Sequence, residues 1–96
     1  MSGAKEEQLK TNLARNLKYL RLRRNPQISQ KYLATRLQVS VRSISYYESG
    51  KYLPPSHVLC EMAEYFGYSV EDLLSNKLPA KKEDRQINEN FTHSNS

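Results

Sequence analysis

A very short join between two predicted helices limits the folds that this chain can adopt. Residues 30–37 and 41–49 each have the pattern of a helix, and only residues 38–40 separate them. Three residues leave little slack for an antiparallel hairpin, so the two helices are expected to cross steeply. Ala34 suits such a crossing, because its methyl group allows the two backbones to approach closely.

Residues that favour helix ends mark the boundaries of these two helices. Ser29 and Ser40 are good N-caps for residues 30–37 and 41–49. Gly50 is a good stop for the second helix, because glycine readily takes the left-handed backbone found after a helix. Two capped helices crossing over three residues have the geometry of a helix-turn-helix unit.

Apolar residues at helical spacing predict three further helices. The stripes are Leu9, Leu13, Leu17 and Leu20 before the unit, and Leu59, Met62, Ala63 and Phe66, then Leu73 and Leu74, after it. The sequence contains neither strand alternation nor an internal repeat. It therefore predicts an all-α fold, a compact five-helix domain over residues 8–76.

Both ends of the chain lack the pattern of a packed element. Residues 1–7 carry no apolar stripe and are expected to form a flexible N-terminus. Residues 77–96, KLPAKKEDRQINENFTHSNS, are polar and unpatterned, and we expect them to be a disordered tail. The hydrophobic fraction of the whole chain, 38%, is below the globular norm and agrees with disordered termini.

Charge is distributed unevenly along the chain. Residues 1–53 hold eleven Lys and Arg against three acids, whereas residues 54–96 hold four against seven. The basic half indicates a polyanionic partner on one side of the molecule. By composition alone, a soluble protein with scattered surface charge explains the numbers equally well.

Several classes of protein are excluded or disfavoured by what the sequence contains. No apolar run is long enough to span a membrane, and the start MSGAKEEQLK does not resemble a signal peptide. A single cysteine cannot form an internal disulfide, which suits a reducing cytoplasm, and we expect a cytoplasmic protein.

Catalytic and metal-binding patterns are also missing. The sequence has no glycine-rich phosphate loop and no nucleophile with a base at usable spacing. His57, Cys60 and Glu61 share one helix, but ligands on a single helix without a partner elsewhere make a poor metal site. We therefore expect no enzymatic activity, no metal and no cofactor.

The central segment SQKYLATRLQVSVRSISYYESGKYLP, residues 29–54, resembles the phage-repressor helix-turn-helix domain of the Xre family. The matching positions are Ser29, Gln30, Leu33, Ala34, Leu37, Val39, Ser40, Ile44, Glu48, Gly50, Lys51 and Pro54. The flanking segments LKYLR and GYSVEDLL extend the resemblance over about residues 13–75. Two features depart from it: Gln38 stands where the family usually has glycine, and the loop LRRNPQ is about two residues longer than usual.

The resemblance implies that the third helix lies in the DNA major groove and reads base edges. Its outward residues would be the base-reading set: Val41, Arg42, Ser45 and Tyr46. The residues around it would contact phosphate: Ser29, Gln30, Ser40, Ser49, Lys51 and Tyr52. The inward Glu48 would form a structural ion pair with an arginine of the first helix, Arg21 by preference and Arg23 as the substitute.

Plainer interpretations exist for several of these residues. An arginine on the surface of a helix is often only a solvated charge, and this is the plainer interpretation of Arg42. Tyr46 suits a dimer contact as well as a base contact. Four other tyrosines are expected in the core or at its edge rather than on bases: Tyr19, Tyr47, Tyr65 and Tyr68.

The function that the resemblance implies is sequence-specific binding of double-stranded DNA by a bacterial or phage transcription regulator. We expect an operator-occupying repressor that acts as a homodimer on a two-fold operator. Two alternatives remain open: the antitoxin of a toxin–antitoxin pair with the same DNA-binding domain, and a protein-interaction adaptor without a DNA role.

Overall fold

Five α-helices make up the fold in the computed structural model, which describes residues 2–80. They are α1 (Ser2–Arg23), α2 (Gln30–Leu37), α3 (Val41–Ser49), α4 (Ser56–Phe66) and α5 (Val70–Leu73). No strand occurs within the described range. The predicted all-α, five-helix architecture is confirmed, and residues 81–96 of the predicted tail lie outside the described residues.

The caps that delimit α2 and α3 are formed by the predicted serines. The Ser29 hydroxyl accepts a hydrogen bond from the Tyr32 amide, and the Ser40 hydroxyl accepts one from the Ser43 amide. Each bond satisfies an amide that has no partner within its helix, and such a cap stabilises a helix by about 1 kcal/mol. The boundaries of both helices are therefore set by local chemistry.

The turn between α2 and α3 requires a left-handed residue, and this residue is Gln38. Its φ is 59° and its ψ is 44°. A residue with a Cβ pays roughly 1 kcal/mol or more for this conformation. The turn is closed by the Val39 amide, which donates to the Ala34 carbonyl at 3.0 Å, and Val39 packs against the core. The tertiary packing thus overrides the usual preference for glycine.

The core is formed by apolar side chains from all five helices. Its buried members are Leu13, Leu17, Leu20, Leu33, Ala34, Leu37, Ile44, Tyr47, Val58, Met62, Ala63, Phe66 and Leu73. α1 packs on α3 and α5, while α2 packs on α3 and α4. α3 therefore packs against both α1 and α2, and the side of α3 that faces away from these two helices is its outward side.

Several positions differ from the predicted core, and Leu9 and Leu74 are only half-buried. Val58 is buried and Leu59 only half-buried, because the inward face of α4 is rotated toward Val58. Tyr47 is buried, as predicted, but the prediction that Tyr19 belongs to the core or its edge is wrong. Tyr19 is 53% exposed, since it lies off the stripe of leucines on α1.

α1 begins at Ser2, earlier than the apolar stripe predicts. The segment AKEEQ has good helix formers, and Lys10 Nζ lies 3.9 Å from Glu6 Oε2 and 3.4 Å from Glu7 Oε2. Each such exposed pair adds only about 0.2–0.5 kcal/mol of helix stability. Residues 3–8 are exposed, so this first part of α1 adds nothing to the core.

Two buried asparagines on α1 hold the end of α5, a feature that the sequence analysis missed. Asn16 Nδ2 donates to the carbonyls of Leu73 and Ser75, both at 2.8 Å. Asn12 Nδ2 donates to the Leu74 carbonyl at 2.9 Å. These carbonyls stand at and just beyond the C-terminal end of α5, where backbone carbonyls have no N–H donor within the helix. The asparagines thus replace the missing helical bonds and attach α5 to α1.

Asn16→Ala is expected to lower the free energy of unfolding by about 1–2 kcal/mol, because the Leu73 carbonyl loses its side-chain donor in a buried site and the Ser75 carbonyl keeps only the longer bond from Arg15. Urea denaturation followed by circular dichroism measures the change. Arg15→Ala is the matched control, since Arg15 also donates to the Ser75 and Asn76 carbonyls but is exposed. Equal losses in both variants would contradict the role of burial.

Candidate nucleic-acid interface

The two sides of α3 differ sharply in exposure. Ile44 and Tyr47 are buried against the core. The outward side carries Val41, Arg42, Ser45 and Ser49, all exposed, with Tyr46 half-buried beside them. All four residues predicted to read bases therefore lie together on the side of α3 that faces away from the core or at its edge.

The inward Glu48 lies in an ion pair with Arg21 of α1. Arg21 Nε is 2.6 Å from Glu48 Oε2, and Arg21 Nη2 is 3.0 Å from Glu48 Oε1. The side chains are only 10% and 4% exposed, respectively. Arg21 also donates to the Ile28 carbonyl at 2.9 Å. This two-pronged pair ties α3 to α1 and to the loop before α2.

Arg23, the substitute partner for Glu48, lies elsewhere. Its guanidinium stacks over the exposed Tyr19 ring, with 5.8 Å from Cζ to the ring centroid. The longer loop between α1 and α2 thus leaves the alignment of α1 intact, with Arg21 facing Glu48.

Gln30, the first residue of α2, joins the same network. Its Nε2 donates to Glu48 Oε1 at 3.0 Å, so α1, α2 and α3 meet at one carboxylate. This bond uses one of the two N–H donors of the side-chain amide that was expected to face phosphate, and contact of the other with phosphate stays a prediction. The Ser29 cap takes the Tyr32 amide, but the two amides before it in the first turn of α2 still point out of the helix N-terminus, where an anion binds favourably.

The other residues predicted to contact phosphate have specific partners within the protein. Ser29 and Ser40 act as helix caps, as described above. Ser49 Oγ donates to the Tyr46 carbonyl at 3.0 Å. Contact of any of these hydroxyls with phosphate stays a prediction.

The C-terminal end of α3 carries a cluster that the sequence analysis did not identify. The Tyr46 and Tyr52 rings meet edge to face, with 5.3 Å between their centroids and 79° between their planes. The Lys51 ammonium lies 4.5 Å from the Tyr46 centroid and 5.6 Å from that of Tyr52. We refer to these residues as the Tyr46–Lys51–Tyr52 cluster. No periodic pattern indicates it, because the chain leaves the helix between its members.

Three arginines outside α3 have contacts within the protein. Arg15 binds the segment after α5. Arg24 stacks over the Tyr65 ring at 4.5 Å and donates to the Tyr65 carbonyl at 2.9 Å, and Arg36 lies 5.2 Å from the same ring. The contacts of Arg24 and Arg36 hold α2 and the loop before it against α4. Arg15 and Arg24 therefore both have partners within the protein.

Two other kinds of site are absent from residues 2–80. The described residues contain no group of three or more His, Cys, Asp or Glu side chains that could hold a metal ion. None of the described helices combines the length and apolar character needed to cross a membrane. His57 and Cys60 are exposed residues of α4.

Comparison with known proteins agrees with this geometry. A family model described as helix-turn-helix matches residues 17–73, more than half of the 96-residue chain. No curated protein and no solved structure matches the chain. The matched range contains α2, the left-handed turn, α3 and α4 in full, and it includes both partners of the ion pair. The chain therefore belongs to the helix-turn-helix family of the Xre and lambda-repressor type, a family of DNA-binding regulatory domains.

Proposed function

We propose that this protein is a sequence-specific double-stranded DNA-binding transcription regulator that represses by occupying an operator. The observation that supports it best is the exposed side of α3, held to the scaffold by the Arg21–Glu48 pair. A fixed helix with polar side chains on its outer surface suits the major groove, which is wide enough to admit an α-helix.

Arg42 is the leading candidate for base reading. It is exposed, and within residues 2–80 its guanidinium has no hydrogen bond, ion pair or aromatic contact. Its donors are therefore available for the O6 and N7 acceptors of a guanine. Val41, which is 43% exposed, offers a methyl surface to a thymine methyl group, and Ser45 offers a hydroxyl.

The proposed active form is a homodimer on a two-fold operator. One recognition helix contacts only a few base pairs, so a long site needs two helices spaced about one DNA turn apart. Such a protein acts where the DNA is, in the cytoplasm or nucleoid, and the proposal involves neither catalysis nor a cofactor.

Selection of binding sites from random DNA tests the proposal directly. The expected result is a palindromic motif with half-sites separated by about one helical turn, about 10 base pairs. Sedimentation of the protein on the selected duplex is expected to give two chains per site. A selection that returns no enriched sequence would contradict sequence-specific binding.

DNA affinity is also expected to fall steeply with salt. Residues 1–53 carry the excess of cations, and each phosphate that they neutralise releases counterions. A dimer that neutralises about six phosphates loses roughly a thousandfold in affinity between about 50 and about 200 mM salt. Fluorescence anisotropy with a labelled duplex measures the slope. A flat response would favour the adaptor alternative, in which the fold has no DNA role.

A further inference from the structure

The backbone after α3 returns residues 51 and 52 to the side of Tyr46. Gly50 has a φ of 80°, and the Lys51 amide donates to the Tyr46 carbonyl at 3.0 Å. A Cβ at Gly50 would lie 3.7 Å from the Lys10 carbonyl oxygen and 3.8 Å from the Ala14 Cβ, so the turn also rests against α1. The turn conformation itself therefore brings together the Tyr46–Lys51–Tyr52 cluster.

The cluster limits the freedom of side chains that would otherwise be mobile. Tyr52 is 51% exposed, and Lys51 is also exposed. An unsupported exposed lysine or tyrosine samples several rotamers and loses that freedom when it binds a ligand. Edge-to-face ring packing and a cation over a ring each favour one arrangement before binding. Arg42 has no such support, so the two ends of α3 differ in how firmly their outward side chains are held.

We propose that Tyr52 is a positioning residue for DNA reading, acting through Tyr46 and Lys51. This inference rests on the proposed function and assigns a role to the cluster within it. Tyr52 holds the Tyr46 ring in the orientation that reaches a base edge, and it holds the Lys51 ammonium beside that ring, toward the adjacent phosphate. Base reading by Tyr46 and phosphate binding by Lys51 are then coupled, and neither needs Tyr52 to contact DNA.

The first measurement tests the cluster in the free, full-length protein. Ring currents from Tyr46 and Tyr52 are expected to shift the Lys51 side-chain NMR signals upfield. Tyr52→Phe keeps the ring and is expected to retain the shift, whereas Tyr52→Ala is expected to reduce it. Lys51 signals at their ordinary positions in the wild-type protein would overturn the proposed arrangement.

The second measurement tests the role of the cluster on DNA. Tyr52→Ala is expected to reduce the preference at the base position read by Tyr46 by about two- to tenfold, the range carried by aromatic and cation–π contacts of ordinary strength. Tyr52→Phe, which keeps the ring, is expected to retain the base preference of the wild type. Lys51→Ala is expected to lower the salt slope by about one and to weaken the same base preference.

Tyr19→Ala is the matched control for Tyr52→Ala. Tyr19 is similarly exposed, at 53%, and also has a cation over its ring, but it belongs to α1. The control is expected to leave base preference unchanged at every position. A loss of preference in Tyr19→Ala equal to that in Tyr52→Ala would overturn the specific role of Tyr52.

Failure of the inference and failure of the proposed function give different results. A wild-type protein without any sequence preference would overturn the proposed function and the role of Tyr52 with it. If wild type has a preference but Tyr52→Ala lowers affinity for operator and unrelated DNA by one common factor, only the positioning role is overturned. Tyr52 would then be a general contact with the DNA backbone.

Discussion

Glu48→Ala is expected to lower the free energy of unfolding by about 3–5 kcal/mol, the usual result of removing one partner from a buried ion pair. Arg21 would keep its charge at a position where its side chain is only 10% exposed. Gln30 would also lose the acceptor of its side-chain amide. Urea denaturation of the purified variants measures the change, and Arg21→Ala is expected to be similarly destabilised.

Burial is the reason for this large effect, and an exposed glutamate provides the control. Glu7 lies 3.4 Å from the Lys10 ammonium, but its side chain is 72% exposed. Glu7→Ala is therefore expected to cost no more than about 0.5 kcal/mol. Unfolding curves of Glu48→Ala and Arg21→Ala that match the wild type would remove the pair from the account of how α3 is held.

Replacing both charged residues together distinguishes the net contribution of the ion pair to stability from the penalty of leaving one buried charge unpaired. A double variant, Arg21→Met with Glu48→Leu, leaves no buried charge, and it is expected to recover much of the stability lost in either alanine variant. Recovered stability with weakened DNA binding would indicate that the pair serves mainly to set the orientation of α3. Recovery of both properties would indicate that apolar packing orients α3 equally well.

The parts of the fold that the sequence could predict depend on chemistry between neighbours in the chain. Ser29 and Ser40 cap helices through amides three residues away, and Gly50 ends α3 locally. Gln38 takes a left-handed backbone at the position where the family usually has glycine. The partner of Glu48 is 27 residues away, and only the family resemblance indicated it.

The missed features depend on contacts that no local pattern records. Asn16 is joined to carbonyls 57 and 59 residues later, and an asparagine in a helix has no periodic signal for such a partner. The Tyr46–Lys51–Tyr52 cluster forms across the end of α3, where helical spacing no longer applies. One N–H of the Gln30 side-chain amide is bonded to Glu48, 18 residues away, and no local pattern indicates this partner.

Contact with DNA stays a prediction for each of these residues, but they differ in whether they already have a partner within the protein. Arg42 is exposed without a partner among the described residues, so any specific partner must come from outside them. Ser29, Ser40 and Ser49 already have internal hydrogen bonds. A hydroxyl can bind phosphate while it serves as a cap, yet its loss would also weaken the helix. Arg42 therefore offers a cleaner test than the serines.

Arg42→Ala is expected to weaken operator binding by about 1–3 kcal/mol and to relax preference at one base position, because a bidentate contact with guanine is lost. Arg42→Lys keeps the positive charge but not the planar pair of donors. It is expected to retain most of the affinity for unrelated DNA while losing the same base preference. Both variants are measured on the operator and on an unrelated duplex at one salt concentration.

The comparison of these two variants distinguishes a contact with a base from a contact with phosphate. If Arg42→Ala lowers affinity for both duplexes by the same factor and Arg42→Lys restores it, Arg42 contacts phosphate rather than a base. If neither substitution changes either affinity, Arg42 is a solvated charge. In both cases sequence preference must come from the rest of the outward side of α3, from Val41 and Ser45 near Arg42 and from Tyr46 at the far end. Tyr46 would then be the leading candidate of the three, because the cluster already holds its ring in place.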